Sequence, residues 1–141
     1  MQLKKFTDYS LRLLIQLAVN PDVLVNINTV ASAFDISRNH LLKIVTELSR
    51  QGLIRTQRGK HGGLSLNRPA ADINVGELIA SLEGKAPIVD CVSPVCPIAP
   101  ACGLKSVLDE AQQAFYQVLG KYSLEDLVHG KESRLLKLIS V

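Results

Sequence analysis

The chain has 141 residues, of which 47% are hydrophobic and 21% are charged, and this length and composition suffice for the core of one globular domain. Its apolar runs fall short of the roughly 18 residues that a membrane span needs, and its first residues lack the apolar core of a signal peptide. These features predict a cytoplasmic protein with no membrane partner.

Charge is distributed unevenly along the chain. The net charge is +3, but residues 1–68 hold ten lysines and arginines against four acidic residues, whereas the remainder holds six against nine. A basic first half favours a polyanionic partner, and nucleic acid is the commonest one. On charge alone, a merely solvated basic surface stays open as the alternative.

The first predicted helix spans Asp8 to Val19. Its apolar residues recur at spacings of three and four, as on the buried face of an amphipathic helix. Thr7 or Asp8 can serve as its N-cap, and the pair Asn20-Pro21 ends it.

Two further helices joined by a tight turn follow. A short helix is predicted over residues 28–34, a turn at residues 35–36, and a longer helix from about Arg38, which Ser37 caps and Gly52 ends. This arrangement predicts a helix-turn-helix, whose second helix enters the major groove of DNA by its N-terminal residues. The candidate DNA contacts on that helix are Ser37, Arg38, Asn39, His40 and Lys43.

Residues 53–69 predict a β-hairpin with a glycine-rich tip. Branched or apolar residues alternate with polar ones on both sides of Gly59, Gly62 and Gly63. A hairpin directly after a recognition helix is the wing of a winged helix, although an ordinary turn with incidental charge is the alternative. The candidate contacts of this wing with a DNA groove or with phosphates are Arg55, Arg58, Lys60 and His61.

The second half contains one long predicted helix. Residues 72–82 predict a helix ended by Gly84, and residues 104–119 predict a longer helix with an apolar stripe. Because the longer helix lies outside the compact unit, its stripe needs a partner. A symmetric copy is the economical partner, and packing within the same chain is the alternative. A short helix is expected within residues 122–130, and residues 131–141 are expected to be weakly ordered.

The predicted fold is therefore mainly α, with a winged helix-turn-helix DNA-binding domain, a β-hairpin wing and a long dimerisation helix. The predicted organisation is a DNA-binding domain over residues 1–84, a cysteine loop over residues 85–103, for which cluster binding is one interpretation, and a dimerisation helix with a C-terminal tail over residues 104–141.

All three cysteines lie in one loop, with the spacing Cys91-x4-Cys96-x5-Cys102. Three prolines stiffen the loop, which limits the entropy lost when three thiolates converge on one centre. An iron–sulfur cluster, a zinc ion and redox-sensing thiols are all open interpretations, although the missing CxxC pairs weigh against zinc. A catalytic cysteine is disfavoured because the histidines lie in other elements. The sequence predicts no enzyme.

Four segments, in their order along the chain, resemble a bacterial winged-helix family of iron–sulfur regulators. They are FTDYSLRLLIQLA, ISRNHLLKIVTELSRQGLI, RGKHGGLSLNRPA and CVSPVCPIAPACGLK, and they cover nearly the whole chain. The branch of the family that regulates cluster assembly has a histidine three residues after the last cysteine, where Lys105 stands here. The resemblance therefore favours the branch of nitric-oxide-sensitive repressors.

This resemblance implies a homodimeric repressor that binds a palindromic operator in double-stranded DNA and is released when nitric oxide attacks its iron–sulfur cluster. A [4Fe-4S] cluster is favoured over [2Fe-2S]. Cys91, Cys96 and Cys102 would hold it, together with Asp8 of the partner subunit. For Asp8, a helix-capping or helix-dipole role is the alternative. A sensor of iron–sulfur status or redox state, and a zinc-stabilised nucleic-acid-binding module, are the alternative functions.

Overall fold

The computed structural model describes residues 2–84 and 86–139 of the chain. Most of these residues are helical, and two short strands form an antiparallel hairpin, so the predicted fold class is confirmed. The elements are α1 (Lys5–Ala18), α2 (Ile27–Phe34), α3 (Arg38–Arg50), β1 (Ile54–Gln57), β2 (Gly63–Leu66), α4 (Val75–Glu83), α5 (Leu104–Leu119), α6 (Leu124–Val128) and α7 (Glu132–Ile139).

Helix α1 begins about one turn earlier than its apolar pattern predicts. The N–H of Asp8 donates to the carbonyl of Lys4 at 3.0 Å, and Thr7 is fully buried within the first turn. The N-cap residue is Lys4, whose side chain makes no capping hydrogen bond. The predicted N-cap at Thr7 or Asp8 is therefore wrong, because the burial of Thr7 draws both residues into the helix.

The turn between α2 and α3 forms as the sequence predicts. Asp35 takes a left-handed conformation, with φ 51° and ψ 49°, which reverses the chain in a single residue. The next residue, Ile36, is 4% exposed, and this burial fixes the turn against the core. Ser37 caps α3, because its side chain accepts a hydrogen bond from the N–H of His40 at 3.3 Å.

The wing is a short two-stranded hairpin that is fastened to the helices. Ile54 pairs with Leu66 at one end of the ladder, and Gln57 pairs with Gly63 at the other. Val25, just before α2, exchanges two hydrogen bonds of 2.9 Å with Leu64. The wing is therefore held to the helix-turn-helix by backbone bonds as well as by its buried side chains.

One hydrophobic core joins α1, α2, α3, the wing and α4, and we call residues 5–83 the winged-helix unit. Full burial of one Leu or Ile side chain contributes about 1.5–3 kcal/mol, so this core dominates the stability of the unit. Its fully buried members include Leu13, Leu14, Val30, Leu41, Ile44 and Leu48.

Helix α5 packs against α4 but lies outside this core. The structure describes all of its residues, and none of them is buried. The chain returns to the winged-helix unit just after α5, where the N–H of Leu124 donates to the carbonyl of Ile73 at 2.8 Å. Leu124 itself is fully buried in the core.

The C-terminal segment is better ordered than the sequence pattern predicts. Residues 132–139 form helix α7, and Ile139 is 9% exposed in a second cluster with Val19 and Val128. The expectation of a weakly ordered tail is therefore wrong for this segment, because its apolar face docks on the end of α1. Residues 140–141 lie outside the described residues.

Candidate DNA-binding surface and cysteine loop

The first turns of α3 divide into a buried face and an exposed face. Leu41 and Ile44 are fully buried, whereas Arg38, Asn39 and Lys43 are exposed. Asn39 and Lys43 are four residues apart and so share one side of the helix. Ser37 caps α3, so this basic face begins in the first turn of the helix, where the side chains are exposed.

His40 is placed differently from its neighbours. Its ring centroid lies 5.1 Å from that of Tyr9, in an edge-on arrangement, and 6.3 Å from that of Phe6. The side chain is half-buried between α1 and α3. Of the predicted contacts on α3, Ser37 thus serves the cap and His40 serves the helix packing, which leaves Arg38, Asn39 and Lys43 on the outer face.

The wing presents its basic residues in two places. Arg58, Lys60 and His61 are exposed at the tip. Arg55 lies in β1, where its Nε donates to the Ser65 hydroxyl on the opposite strand at 2.9 Å. Arg55 also lines a groove of about 560 Å³ between the wing and α6, so it is separated from the tip residues.

The cysteine loop is wound through successive backbone turns. The N–H of Cys96 donates to the carbonyl of Cys91 at 3.2 Å, the N–H of Ala99 to Cys96 at 3.1 Å, and the N–H of Cys102 to Ala99 at 3.4 Å. All three cysteines are free thiols and half-exposed. The loop is therefore compact along its backbone, while its sulfur atoms are available for ligation.

Asp90 has a structural role at the start of this loop. Its Oδ1 accepts hydrogen bonds from the N–H groups of Val92 at 2.8 Å and Ser93 at 3.0 Å. These bonds lower the pKa of Asp90, because they stabilise the carboxylate. The carboxylate is thus engaged in the turn that precedes the cysteines.

Lys105 lies just beyond the last cysteine and pairs with Asp109. Its Nζ donates a hydrogen bond to that carboxylate, and this bond, followed by the negative charge of the carboxylate, raises the pKa of Lys105. The side chain is consequently a fixed cation, which cannot ligate a metal.

The three thiols fit a metal centre in their chemistry, but they are not closed around one. Within residues 2–84 and 86–139, no three ligating side chains converge into a ready-made metal site. Three unpaired thiols on one exposed loop are suitable donors for iron or zinc.

Asp8 is held by Arg12 on the next turn of α1. Its two carboxylate oxygens accept hydrogen bonds from Arg12 Nε at 3.0 Å and Nη2 at 2.8 Å, and its side chain remains 40% exposed. These bonds raise the pKa of Arg12. The Arg12 guanidinium also lies over the rings of Tyr9, at 5.7 Å, and Phe34, at 6.0 Å. Asp8 thus belongs to a cluster at the contact of α1 with α2 and α3.

Sequence reasoning did not single out Phe6, Tyr9, Arg12 or Phe34, which build this cluster. The spacing of Asp8 and Arg12 is that of an ion pair on one helix face, and this signal could have been used. The ring contacts depend on tertiary packing, and a single sequence carries no signal for them.

Among the helices of the described chain, none is both long enough and apolar enough to cross a membrane.

Residues 3–130 match the sequence model of a known protein family. This is the Rrf2 family, described as an iron-dependent transcriptional regulator.

The chain is also similar to curated proteins over its whole length. It is 44% identical to the HTH-type transcriptional regulator NsrR of Bacillus subtilis strain 168, with 100% of this chain and 99% of that protein covered. It is 43% identical to the regulator of the same name from Oceanobacillus iheyensis, with 100% and 98% covered.

Two solved structures share the fold. The oxidized form of Staphylococcus aureus CymR matches with a TM-score of 0.74 and 28% identity, covering 92% of this chain and 97% of that one. IscR of T. potens matches with a TM-score of 0.74 and 24% identity, covering 95% and 90%. The resemblance drawn from the four sequence segments is confirmed by the family match and by the two relatives named NsrR, all of which are described as transcriptional regulators. Because the family model matches residues 3–130 and the relatives named NsrR are 44% and 43% identical over the whole chain, the chain belongs to the Rrf2 family of transcriptional regulators.

Proposed function

We propose that this chain is a nitric-oxide-responsive repressor that binds a palindromic operator as a homodimer. One observation carries the proposal: a single chain combines an exposed basic recognition face with an exposed loop of three free thiols. Its similarity to regulators named NsrR supports the same function. DNA-binding residues and a reactive metal loop are the two parts that a metal-dependent repressor needs.

The exposed start of α3 is suited to reading DNA in the major groove. Arg38 and Asn39 can form paired hydrogen bonds with guanine and adenine edges, respectively, whereas Lys43 suits a phosphate. Arg58, Lys60 and His61 at the wing tip would contact the flanking backbone or groove. Since phosphate contacts position the protein and base contacts specify the sequence, α3 would provide the specificity and the wing would add affinity.

The homodimer is supported by the apolar side chains of α5. Leu104, Val107 and Val118 are 57%, 60% and 52% exposed. An exposed apolar stripe on a 16-residue helix is unfavourable in a monomer. A second copy related by a two-fold axis would cover the stripe and would present two recognition helices to the two halves of a palindrome.

An iron–sulfur cluster would be held by Cys91, Cys96 and Cys102, with Asp8 of the partner subunit as the fourth ligand. We favour [4Fe-4S] over [2Fe-2S]. When bound, the cluster would supply iron that reacts with nitric oxide. The chain itself would bring its three thiols together and hold Asp8 beside Arg12.

Contacts around Asp8 connect it to the start of α3. Its carboxylate is bonded to Arg12, and the neighbouring Tyr9 contacts His40 at the start of α3. A change in what Asp8 binds would therefore act on the orientation of α3. A change of about 3 kcal/mol in DNA binding would lower the operator affinity more than a hundredfold.

Anaerobic purification followed by visible spectroscopy and an operator-binding assay tests this function. We expect a brown protein that selects an inverted repeat from a randomised duplex library and releases it on addition of nitric oxide. A colourless, zinc-containing sample whose DNA binding ignores nitric oxide would instead indicate a zinc-stabilised module. Release on oxidation or cluster loss without any response to nitric oxide would indicate a sensor of redox state or iron–sulfur status.

A further inference from the structure

Helix α5 meets the winged-helix unit at a very close backbone crossing. A Cβ atom on Gly76, at the start of α4, would lie 2.6 Å from the nitrogen of Gly120 and 2.8 Å from its Cα. It would also lie 2.8 Å from the carbonyl oxygen of Tyr116. Since these distances leave no room for a side chain, glycine at position 76 is what allows the two helices to approach so closely.

The same crossing is fixed by hydrogen bonds. Asn74 donates from Nδ2 to the carbonyl of Gly120 at 2.7 Å, and its Oδ1 accepts from the N–H of Glu77 at 3.1 Å. The N–H of Val75 donates to the carbonyl of Tyr122 at 2.9 Å. One side chain therefore caps α4 and holds the end of α5 in the same position.

Farther from this crossing, α5 borders an open space. A cavity of about 420 Å³ lies between α5 and the N-terminal segment, with Leu3, Ile88 and Phe115 in its walls. Across this space, Gln112 donates to the carbonyl of Ala86 at 3.1 Å. The tight fixed point of α5 is thus its C-terminal end, and we call the contact of residues 73–76 with residues 116–124 the α4–α5 joint.

We propose that the α4–α5 joint sets the separation of the two operator half-sites that the dimer recognises. This inference rests on the proposed function, in which α5 pairs with its copy and α3 enters the DNA. The helix is about 24 Å long at 1.5 Å per residue, so a small rotation at the joint becomes a larger displacement of the winged-helix unit. Half-sites lie about 34 Å apart for one helical turn, and this distance must match that of the recognition helices.

Two substitutions change the joint in different ways. Asn74→Asp keeps an acceptor for the Glu77 N–H but removes the donor to Gly120 and places a carboxylate beside a carbonyl. Gly76→Ala forces the two backbones apart. Asn20→Asp is the matched control, because Asn20 Nδ2 donates to the carbonyl of Gln16 at 2.8 Å at the end of α1, away from the joint.

The test uses full-length protein and an inverted repeat that the wild type selects from a randomised duplex library. Binding is measured on this repeat and on repeats with one base pair added or removed between the half-sites. We expect both joint variants to bind the wild-type spacing about tenfold more weakly, the size of one mismatched base pair, and to lose less on a changed spacing. Sedimentation should still show dimers, and Asn20→Asp should keep the wild-type preference.

The outcomes separate the joint from the proposed function. Joint variants that keep the wild-type spacing preference would overturn the role of the joint and leave operator binding intact. A wild type that selects no inverted repeat would overturn dimeric operator binding, and the joint with it. Should Gly76→Ala fail to fold, the profile of Asn74→Asp decides, since that change preserves the helix cap.

Discussion

The winged-helix unit and the region that follows it are built in opposite ways. In the unit, side chains such as Leu14 and Ile44 are fully buried. In the cysteine loop, Val92 and Val95 are 75% and 79% exposed, and α5 has no buried residue. The first region buries most of its large hydrophobic side chains within the chain, whereas the second leaves its hydrophobic side chains partly or largely exposed. From this contrast we expect the loop and α5 to gain further contacts from a ligand or a second subunit, as the proposed function requires.

The largest expected effect is the loss of the cluster on substitution of a cysteine, with little change in the stability of the apoprotein. We expect Cys91→Ala, Cys96→Ala or Cys102→Ala to abolish visible cluster absorption completely. Asp8→Ala should leave a cluster that is lost more readily and couples poorly to DNA binding. In the cysteine variants, the free energy of unfolding of the apoprotein should change by no more than about 0.5 kcal/mol, because the thiols lie outside the core. Full absorption in any cysteine variant would remove that residue from the ligand set.

Substitution in the core tests the other side of the comparison. Ile44→Ala should lower the free energy of unfolding by about 2–5 kcal/mol, because it leaves a cavity in a fully packed site. Ile98 in the loop is 64% exposed, so Ile98→Ala should lower the free energy of unfolding of the apoprotein by no more than about 0.5 kcal/mol. Urea denaturation measures both, and equal losses would show that the loop has a core of its own.

The apolar stripe of α5 can be broken without disturbing the core. Val107→Glu combined with Leu108→Glu should give a monomer that binds operator about a hundredfold more weakly, since the half-sites are no longer bound together. Gln113→Glu adds a charge to the same helix away from the stripe and should leave the dimer intact. A double variant that still sediments as a dimer would place the interface elsewhere.

Substitution of two arginines tests whether α3 reads bases while the wing contacts phosphates. Arg38→Ala should cost about 1–3 kcal/mol of operator binding and relax specificity at one base pair. Arg58→Ala should weaken binding to all DNA sequences by a similar factor. It should also reduce the slope of log affinity against log salt concentration by about one. Arg134→Ala, on the exposed side of α7, is the control. Unchanged binding with Arg38 and Arg58 both replaced would rule out this surface.

The smallest expected effect concerns a surface carboxylate on α3. Glu47 accepts hydrogen bonds from Arg50 and Gln51, which lower its pKa from 4.5 to about 2. Because the folded pKa is the lower one, this stabilisation is present above pH 4.5 and is lost as the pH falls through about 2. Glu47→Gln should flatten the dependence of unfolding free energy on pH in that window. Identical pH profiles for the variant and the wild type would contradict this.

Local signals in the sequence predicted much of the fold. The turn at Asp35-Ile36, the Ser37 cap, the glycine-rich wing and the span of α5 all follow from the spacing of apolar residues and from turn and cap chemistry. The exposed residues Arg38, Asn39 and Lys43 follow from the same helical period. These features depend on residues close together in the chain, and such interactions are readable in one sequence.

By itself, the sequence determined helices α1 to α6, the hairpin, the order of these elements and the grouping of three thiols in one loop. The tertiary structure alone decided the early start of α1 around Thr7, the docking of α7 by Ile139, and the placement of His40 against Tyr9. It also decided the crossing of Gly76 with Gly120. The physical reason is common to all four, because each depends on the packing of segments distant in sequence, and local propensity contains no term for that packing.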